Sequence, residues 1–281
     1  LLLLILVGAG CTTSSTSPNV PADPHAGHMI GRGSQVMSEM TTLAGNRIEL
    51  EKQDVLKTGA VTLTFKLRGV DGSELGTNDL KIAHDKRLHL LVVRDDMTQF
   101  QHLHPEYTNG KWTVTSNFSE QGDYQMYVDI APEKENPIIL RKPIRIGGAT
   151  LAKAFPVPNA ELSASDQGIK AQLSIDGSFR TGEAKQLTFS LTKDGQPVAN
   201  IDPYLGAFGH VVLLRHNEPS DFLHVHPMTE VKPTDGKVVF GTTFAKQGRY
   251  TLYAQFNVEG SVKTFPITID VEEGAAAPQM Q

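Results

Sequence analysis

The chain has 281 residues, of which 39% are hydrophobic and 20% are charged, and its formal net charge is -5. This length and composition suit two modest globular cores. The acidic balance gives no support for nucleic-acid binding. A single cysteine, Cys11, excludes an intramolecular disulfide, so packing or bound metal must stabilise the fold.

The first eleven residues indicate an exported protein. The apolar run LLLLILVGAG is typical of the end of a secretory signal, and it is about half of the ~20 residues that a spanning helix needs. Together with Cys11 it resembles a bacterial lipobox, although Gly8 stands where leucine is usual. We therefore expect lipidation of Cys11 and attachment to the bacterial envelope, on the periplasmic or the outer surface. An ordinary signal peptide with an incidental cysteine is the alternative.

The next segment is rich in Ser, Thr, Pro and Gly and is typical of a flexible tether. It contains the pattern H-x-x-H-M, formed by His25, His28 and Met29. Imidazole and thioether groups on a mobile segment suit a soft or borderline metal ion. A stray polar pair in a linker is the alternative interpretation.

The rest of the chain predicts two all-β domains. Short strand-like runs such as VTLTFKLR and KWTVTSNF alternate with turns rich in Gly, Asn and Asp, and the same order returns after the Pro-rich stretch AFPVPNA. We expect two tandem immunoglobulin-like antiparallel β-sandwiches. The predicted division is a signal remnant 1–11, tether 12–45, domain one 46–149, linker 150–160, domain two 161–273 and tail 274–281.

An internal duplication supports this division. The pattern F-x-x-Q-G-x-Y-x-x-Y starts at Phe118 and again at Phe244. Its first tyrosine, Tyr124 or Tyr250, resembles the tyrosine corner of immunoglobulin-like sandwiches, in which the hydroxyl binds a nearby backbone group. We assign both tyrosines to structure and not to chemistry.

The duplication also repeats a histidine pattern. The stretch HLLVVRDDMTQFQHLHP in domain one corresponds to HVVLLRHNEPSDFLHVHP in domain two. If Arg94 lies opposite Gln99 in a four-residue hairpin, alternation of side chains places three histidines on one face. If the extra residue of the second stretch lies in its turn, the same geometry is preserved. The predicted metal ligands are His89, His102 and His104 in domain one, and His210, His224 and His226 in domain two.

Hydrogen-bonded core histidines are the alternative to a metal site. Converging neutral rings would leave unmatched nitrogens, which a bound ion resolves. Weaker ligand candidates are His84, which is more readily a surface residue, and Met228, which could equally cap the core. His216 is expected to be exposed in the second turn. Asp96 and Glu106 are candidate outer partners that would fix the imidazole tautomers.

The runs His84-Asp85-Lys86-x-x-His89 and F-x-H-x-H-P, together with PYLGAFGH and FLHVHP, resemble a group of largely uncharacterised bacterial secreted proteins. The resemblance covers about residues 47–272 and implies heavy-metal handling, with copper as the ion. The architecture is also similar to small periplasmic copper carriers of the CopC type. Their ligand spacing differs, so no residue role is transferred from them.

The leading hypothesis is therefore an envelope protein that binds copper, or zinc, for storage, delivery or resistance, and that exchanges metal with a donor or acceptor protein. Each domain is expected to bind one ion independently. One alternative is a metalloenzyme, such as a copper oxidase, a dismutase or a zinc hydrolase. An enzyme is less favoured because the pattern contains no separate general base or nucleophile. The other alternative is a metal-free adhesion module.

Overall fold

The computed structural model describes residues 46–51, 56–148, 154–225 and 227–274. The signal remnant and tether predicted at the N-terminus lie outside these residues. The helical segment among the described residues is one 3-10 turn, Thr77–Asp79. No helix in this part of the chain is long and apolar enough to cross a membrane.

The first half of the chain is an antiparallel β-sandwich. Its strands are β1 (Arg47–Leu50), β2 (Gly59–Arg68), β3 (Leu88–Arg94), β4 (Phe100–Leu103), β5 (Glu106–Thr108), β6 (Lys111–Phe118), β7 (Gly122–Ile130) and β8 (Ile138–Ile146). One sheet has the order β1-β2-β6-β5 and the other the order β4-β3-β7-β8. In β2, Leu63, Phe65 and Leu67 are buried between partly exposed neighbours, which is the pattern of a strand covered on one face.

The second half repeats the sandwich. Its strands are β9 (Ser163–Asp166), β10 (Ile169–Ser174), β11 (Ala184–Lys193), β12 (Gln196–Pro197), β13 (Ile201–Asp202), β14 (His210–Arg215), β15 (Phe222–Val225), β16 (Lys237–Thr243), β17 (Gly248–Val258) and β18 (Ser261–Val271). One sheet has the order β12-β11-β10-β9 with β16 beside β11, and the other the order β13-β17-β14-β15 with β18 beside β17. The prediction of tandem immunoglobulin-like sandwiches is thus confirmed.

Both predicted tyrosine corners are present. The hydroxyl of Tyr124 donates to the carbonyl of Glu120 at 2.9 Å, and that of Tyr250 donates to the carbonyl of Lys246 at 2.8 Å. Each tyrosine is almost fully buried. The hydroxyl bond satisfies the polar end of a ring whose body fills the core, so both residues are structural.

The two central hairpins have the predicted register. The paired residues are Leu91 with His102 and Val93 with Phe100 in the first hairpin, and Val212 with His224 and Leu214 with Phe222 in the second. The amide of Arg94 donates to the carbonyl of Gln99 at 3.0 Å. The amide of Arg215 donates to the carbonyl of Asp221 at 3.2 Å, so the extra residue of domain two lies in the turn.

A third core lies between the two sandwiches. Strand β3 is buried along its whole length, because alternate residues enter different cores. Leu90 and Val92 pack inside domain one, whereas Leu91 and Val93 pack against domain two. The interface core consists of Leu91, Val93, Met97, Tyr127, Ile139, Val212, Leu214, Phe222 and Tyr253, with Phe100 and Phe155 packed against it. The sheets that carry the two hairpins therefore pack face to face.

His216 is part of this packed region, and the expectation that it is exposed was wrong. Only 8% of the residue is accessible, and Phe155 stacks on its ring at a centroid distance of 4.8 Å. Its Nε2 lies 2.8 Å from the hydroxyl of Thr251. Burial, with a smaller contribution from the charge of Arg249, lowers the pKa of His216 to about 4. The turn folds back onto β17, so an imidazole that looks solvated in the sequence is covered.

Candidate metal centre

The histidines lie on the same strand faces as the apolar residues of the interface core. On β3 the residues that face the other domain are His89, Leu91 and Val93, which follow the two-residue period of a strand. His210 begins the same row on β14. His89 is 2% exposed and His210 is 0% exposed. Imidazoles thus replace aliphatic side chains at one end of a buried interface.

The three predicted histidines of domain one converge. One ligand nitrogen from each of His89, His102 and His104 lies within 4.8 Å of the others, and their ring centroids are 5.0 to 5.3 Å apart. The distance between His89 Nδ1 and His102 Nε2 is 3.1 Å. Two nitrogens bound at about 2.0–2.1 Å to a tetrahedral ion lie about 3.3 Å apart, so this spacing fits a common metal ion. We call these three residues the domain-one centre.

Domain two repeats the central pair of this arrangement. His210 Nδ1 lies 3.3 Å from His224 Nε2, and the two ring centroids are 5.5 Å apart. His226, the third predicted ligand of domain two, lies outside the described residues. The same two nitrogens, Nδ1 of the first histidine and Nε2 of the second, face each other in both domains.

The outward nitrogens of these four rings are held by oxygen acceptors. His89 Nε2 lies 3.0 Å from the carbonyl of Ala83, His210 Nε2 2.9 Å from the carbonyl of Tyr204, His102 Nδ1 2.8 Å from Gln255 Oε1, and His224 Nδ1 3.0 Å from Asp129 Oδ2. A metal-binding histidine typically donates its second N–H to such an acceptor, which fixes the tautomer.

Two of these outer partners cross the domain interface. Asp129 is paired with His89 across β7 and β3, yet its carboxylate contacts His224 of domain two. Gln255 is paired with His210 across β17 and β14, yet its amide oxygen contacts His102 of domain one. Each domain therefore orients a histidine of the other.

The protonation of the two nitrogens that face each other in domain two, His210 Nδ1 and His224 Nε2, follows from the outer partners of the two rings. Carbonyl and carboxylate oxygens only accept, so the outward nitrogens of His210 and His224 carry the N–H groups. A neutral ring has one such proton, which leaves two lone pairs facing each other at 3.3 Å. Burial, followed by the neighbouring histidines, lowers the pKa of His224 well below its ordinary value, which disfavours a bridging proton. A cation placed between these nitrogens would accept both lone pairs.

The same reasoning holds in domain one. Burial, followed by the neighbouring rings of His89 and His104, lowers the pKa of His102 well below its ordinary value. Burial also lowers the pKa of His104 to about 3. His104 Nε2 is buried and has no hydrogen-bond partner within the described part of the chain. A buried ring nitrogen of this kind is costly unless it binds something, which supports His104 as the third ligand.

The two groups of histidines are neighbours, so the sites expected in the two separate hairpins lie next to each other across the domain interface. The His89 and His224 centroids are 6.1 Å apart, and those of His102 and His210 are 6.4 Å apart. His84, expected at the surface, also lies here, with its centroid 5.7 Å from that of His210. Face-to-face packing of the sheets brings both histidine groups to one end of a single interface.

The other candidates lie elsewhere. Met228 is 56% exposed and its sulfur packs over Gly241 of β16. Asp96 is in the first hairpin turn, where it pairs with Arg94 at 3.0 Å, so it is not an outer partner of a histidine. Glu106 is an exposed residue of β5 and does not supply an acceptor for the four oriented rings. The predictions for Cys11, His25, His28 and Met29 lie outside the described residues.

Sequence reasoning missed three residues of the site, which are Asp129, Gln255 and Tyr204. Asp129 and Gln255 are buried polar residues at equivalent places in the duplication, two positions after Tyr127 and Tyr253, which is the signal that marks them. Tyr204 contributes its carbonyl, and its ring lies 5.5 Å from that of His210 and 6.2 Å from that of His102. Burial raises the pKa of Tyr204 to about 12, so its hydroxyl stays protonated at neutral pH.

Comparison with solved structures gives remote matches. The Escherichia coli alpha-2-macroglobulin is 13% identical with a TM-score of 0.28, over 82% of this chain and 16% of that chain. The D0-D1 domain of intimin is 11% identical with a TM-score of 0.23, over 80% of this chain and 97% of that one. Fibronectin(III)-like modules of Clostridium thermocellum CbhA are 8% identical with a TM-score of 0.22, and the match covers 80% of this chain and 94% of that chain. The chain spans about one sixth of the macroglobulin, and the fold assignment rests on the strand arrangement itself.

No curated protein matches the sequence. A family model does match it, in two segments that cover residues 41–139 and 163–273. These segments correspond to the two sandwiches and agree with the duplication seen in the sequence. The chain therefore belongs to the family described as a domain of unknown function (DUF8832).

Proposed function

We propose that this protein binds a transition metal ion, with copper as the preferred ion, and that it stores, delivers or detoxifies that metal in the bacterial envelope. The observation that carries the proposal is the convergence of His89, His102 and His104, whose ligand nitrogens lie within 4.8 Å of one another. The outward nitrogens of His89 and His102 already have acceptors, so their inward nitrogens are oriented for an ion.

The donor set favours copper and zinc over hard cations. Imidazole nitrogen suits Cu(II) and Zn(II), whereas magnesium and calcium prefer carboxylate and carbonyl oxygen. Copper binds such nitrogen sites more tightly than zinc in the general order of divalent affinities. Three protein ligands leave one position of a tetrahedral ion open, which suits exchange of metal with a donor or acceptor protein.

Titration of the full chain with Cu(II) and Zn(II), in competition with a chromophoric chelator, tests the proposal. We expect stoichiometric binding and, at a free metal concentration 100 times the dissociation constant, a gain of about 2.7 kcal/mol in stability. Mg²⁺ at the same concentration is the control and should leave the melting temperature unchanged. An unchanged melting temperature with Cu(II) and Zn(II), together with no bound metal after dialysis, would exclude the function.

Attachment to the envelope is the second part of the proposal. It is supported by the order of an apolar run, Cys11 and a Ser/Thr/Pro-rich segment in the sequence. We expect Cys11→Ser to move the protein from the membrane fraction to the soluble fraction of a bacterial host. If the variant is processed normally and stays with the membrane, the anchor is not at Cys11.

A further inference from the structure

We infer that His84 of domain one, together with His210 and His224 of domain two, forms a second metal centre that the two domains share. This shared centre rests on the proposed function, because it uses the same imidazole chemistry. It differs from the predicted arrangement in that one ligand comes from the other domain. An ion bound there would tie the two sandwiches together.

The His84 ring lies close to both histidines of domain two. The His84 centroid lies 5.7 Å from that of His210 and 5.8 Å from that of His224, and the latter two are 5.5 Å apart. Three imidazoles bound to one ion at about 2.0–2.1 Å have centroids about 5–5.5 Å apart. His84 is farther from His89, at 6.0 Å. His84 therefore lies closer to the histidine pair of domain two than to His89.

His84 lies in a turn that has an equivalent in domain two. Ala83 and Lys86 are bridged, and His84 has a positive φ of 48°. The equivalent turn of domain two bridges Tyr204 and Ala207, with Leu205 at a φ of 55°. The same backbone thus holds an imidazole in domain one and an aliphatic side chain in domain two. The repeated fold therefore does not by itself require a histidine at position 84, since leucine occupies the equivalent position in domain two.

The turn that carries His84 also contacts domain two. The carboxylate of Asp85 lies 3.5 Å from the position that a Cβ on Gly206 would occupy. The two equivalent turns therefore contact each other across the interface. Because the two turns are in contact, the ring of His84, a residue of domain one, lies close to His210 of β14 and His224 of β15.

Charge distinguishes the shared centre from the domain-one centre. The outer partner of His224 is the Asp129 carboxylate, whereas the outer partner of His102 is the neutral amide of Gln255. A carboxylate increases the basicity of the histidine that donates to it and offsets part of the charge of the ion. We therefore expect the shared centre to bind metal more tightly than the domain-one centre.

Zn(II) titration of three full-length proteins tests the inference: wild type, His84→Leu and His104→Ala. Leucine is the matched replacement, because Leu205 adopts the same backbone in the equivalent turn. We expect the wild type to bind two ions at the interface. His84→Leu should weaken the ion of the shared centre at least 10-fold, the lower limit for loss of even an outer partner, and leave the domain-one ion unchanged. His104→Ala should have the opposite effect.

The outcomes separate the inference from the proposed function. If His84→Leu binds two ions as tightly as wild type, or if wild type binds a single ion that only His104→Ala removes, the shared centre does not exist and the proposed function stands. A single ion that both variants weaken would mean one common site and would also overturn the second centre. If wild type binds no ion, the proposed function itself fails.

Discussion

Replacing His102 by alanine is expected to abolish metal binding at the domain-one centre, with a loss of affinity of more than 100-fold. His102 Nε2 lies 3.1 Å from His89 Nδ1, and its Nδ1 is oriented by Gln255 at 2.8 Å. Loss of an outer partner alone costs about 10–100-fold in metal affinity, and the substitution removes a ligand as well. A competition titration with Cu(II) or Zn(II) measures the change.

The matched control for His102→Ala is His216→Gln. His216 is also a buried histidine with a side-chain hydrogen bond, but it lies against Phe155 and Thr251 and not among the facing rings. Glutamine keeps hydrogen-bonding capacity at that position. We expect this control to bind metal as wild type does. Equal losses of affinity in the two variants would indicate a general effect of destabilisation instead of a lost ligand.

Replacing Tyr253 by alanine is expected to lower the free energy of unfolding by about 3–5 kcal/mol, the range for removal of a large buried aromatic side chain. Tyr253 is 2% exposed and stacks on Phe100 at a centroid distance of 4.1 Å. Its hydroxyl donates to the carbonyl of Met97 in the other domain at 2.7 Å. Urea unfolding of the metal-free protein provides the measurement.

The control for this prediction is Tyr253→Phe, which keeps the ring and removes only the interdomain hydrogen bond. Its expected cost is about 1–2 kcal/mol, because the buried carbonyl loses a partner. If Tyr253→Ala costs less than about 1 kcal/mol, then the interface core does not form in solution, since a buried aromatic cannot be removed at so small a cost.

The sequence predicts the local geometry of the hairpins well, because that geometry depends on interactions between residues that are close in the sequence. Side-chain alternation and a four-residue turn are enough to place His102 opposite Leu91, and the structure confirms this pairing. The tyrosine corners at Tyr124 and Tyr250 follow from a motif whose bond spans four residues. In each case the interacting groups lie close together in the sequence.

Packing of the two domains was not predicted, although one signal is present. Residues 90–93 of β3, LLVV, place apolar side chains on both faces of the strand, whereas a sheet with one face in water normally alternates apolar and polar residues. This continuous apolar pattern is typical of a strand covered on both sides. If the second apolar face of β3 is overlooked, His84 and His216 are assigned to solvent. The structure instead places His84 beside His210 at the interface and packs Phe155 on His216.

The outer partners of the histidines depend on the same packing. Asp129 and His224 are 95 positions apart, and Gln255 and His102 are 153 positions apart. The hairpin register alone suggests carboxylates that are close in the sequence, which are Asp96 and Glu106. Asp96 instead pairs with Arg94, and Glu106 is exposed on β5. Contacts across a domain interface require the relative placement of two sheets, which local periodicity does not determine.

The most direct test of the account is anomalous diffraction from crystals of the full chain loaded with Zn(II) or Cu(II), recorded at the metal edge. We predict an anomalous peak between His89 Nδ1 and His102 Nε2, about 2.0–2.1 Å from each nitrogen, with His104 as a third ligand. The contradictory result is a loaded crystal in which these nitrogens remain in direct contact and the ion is bound elsewhere on the chain.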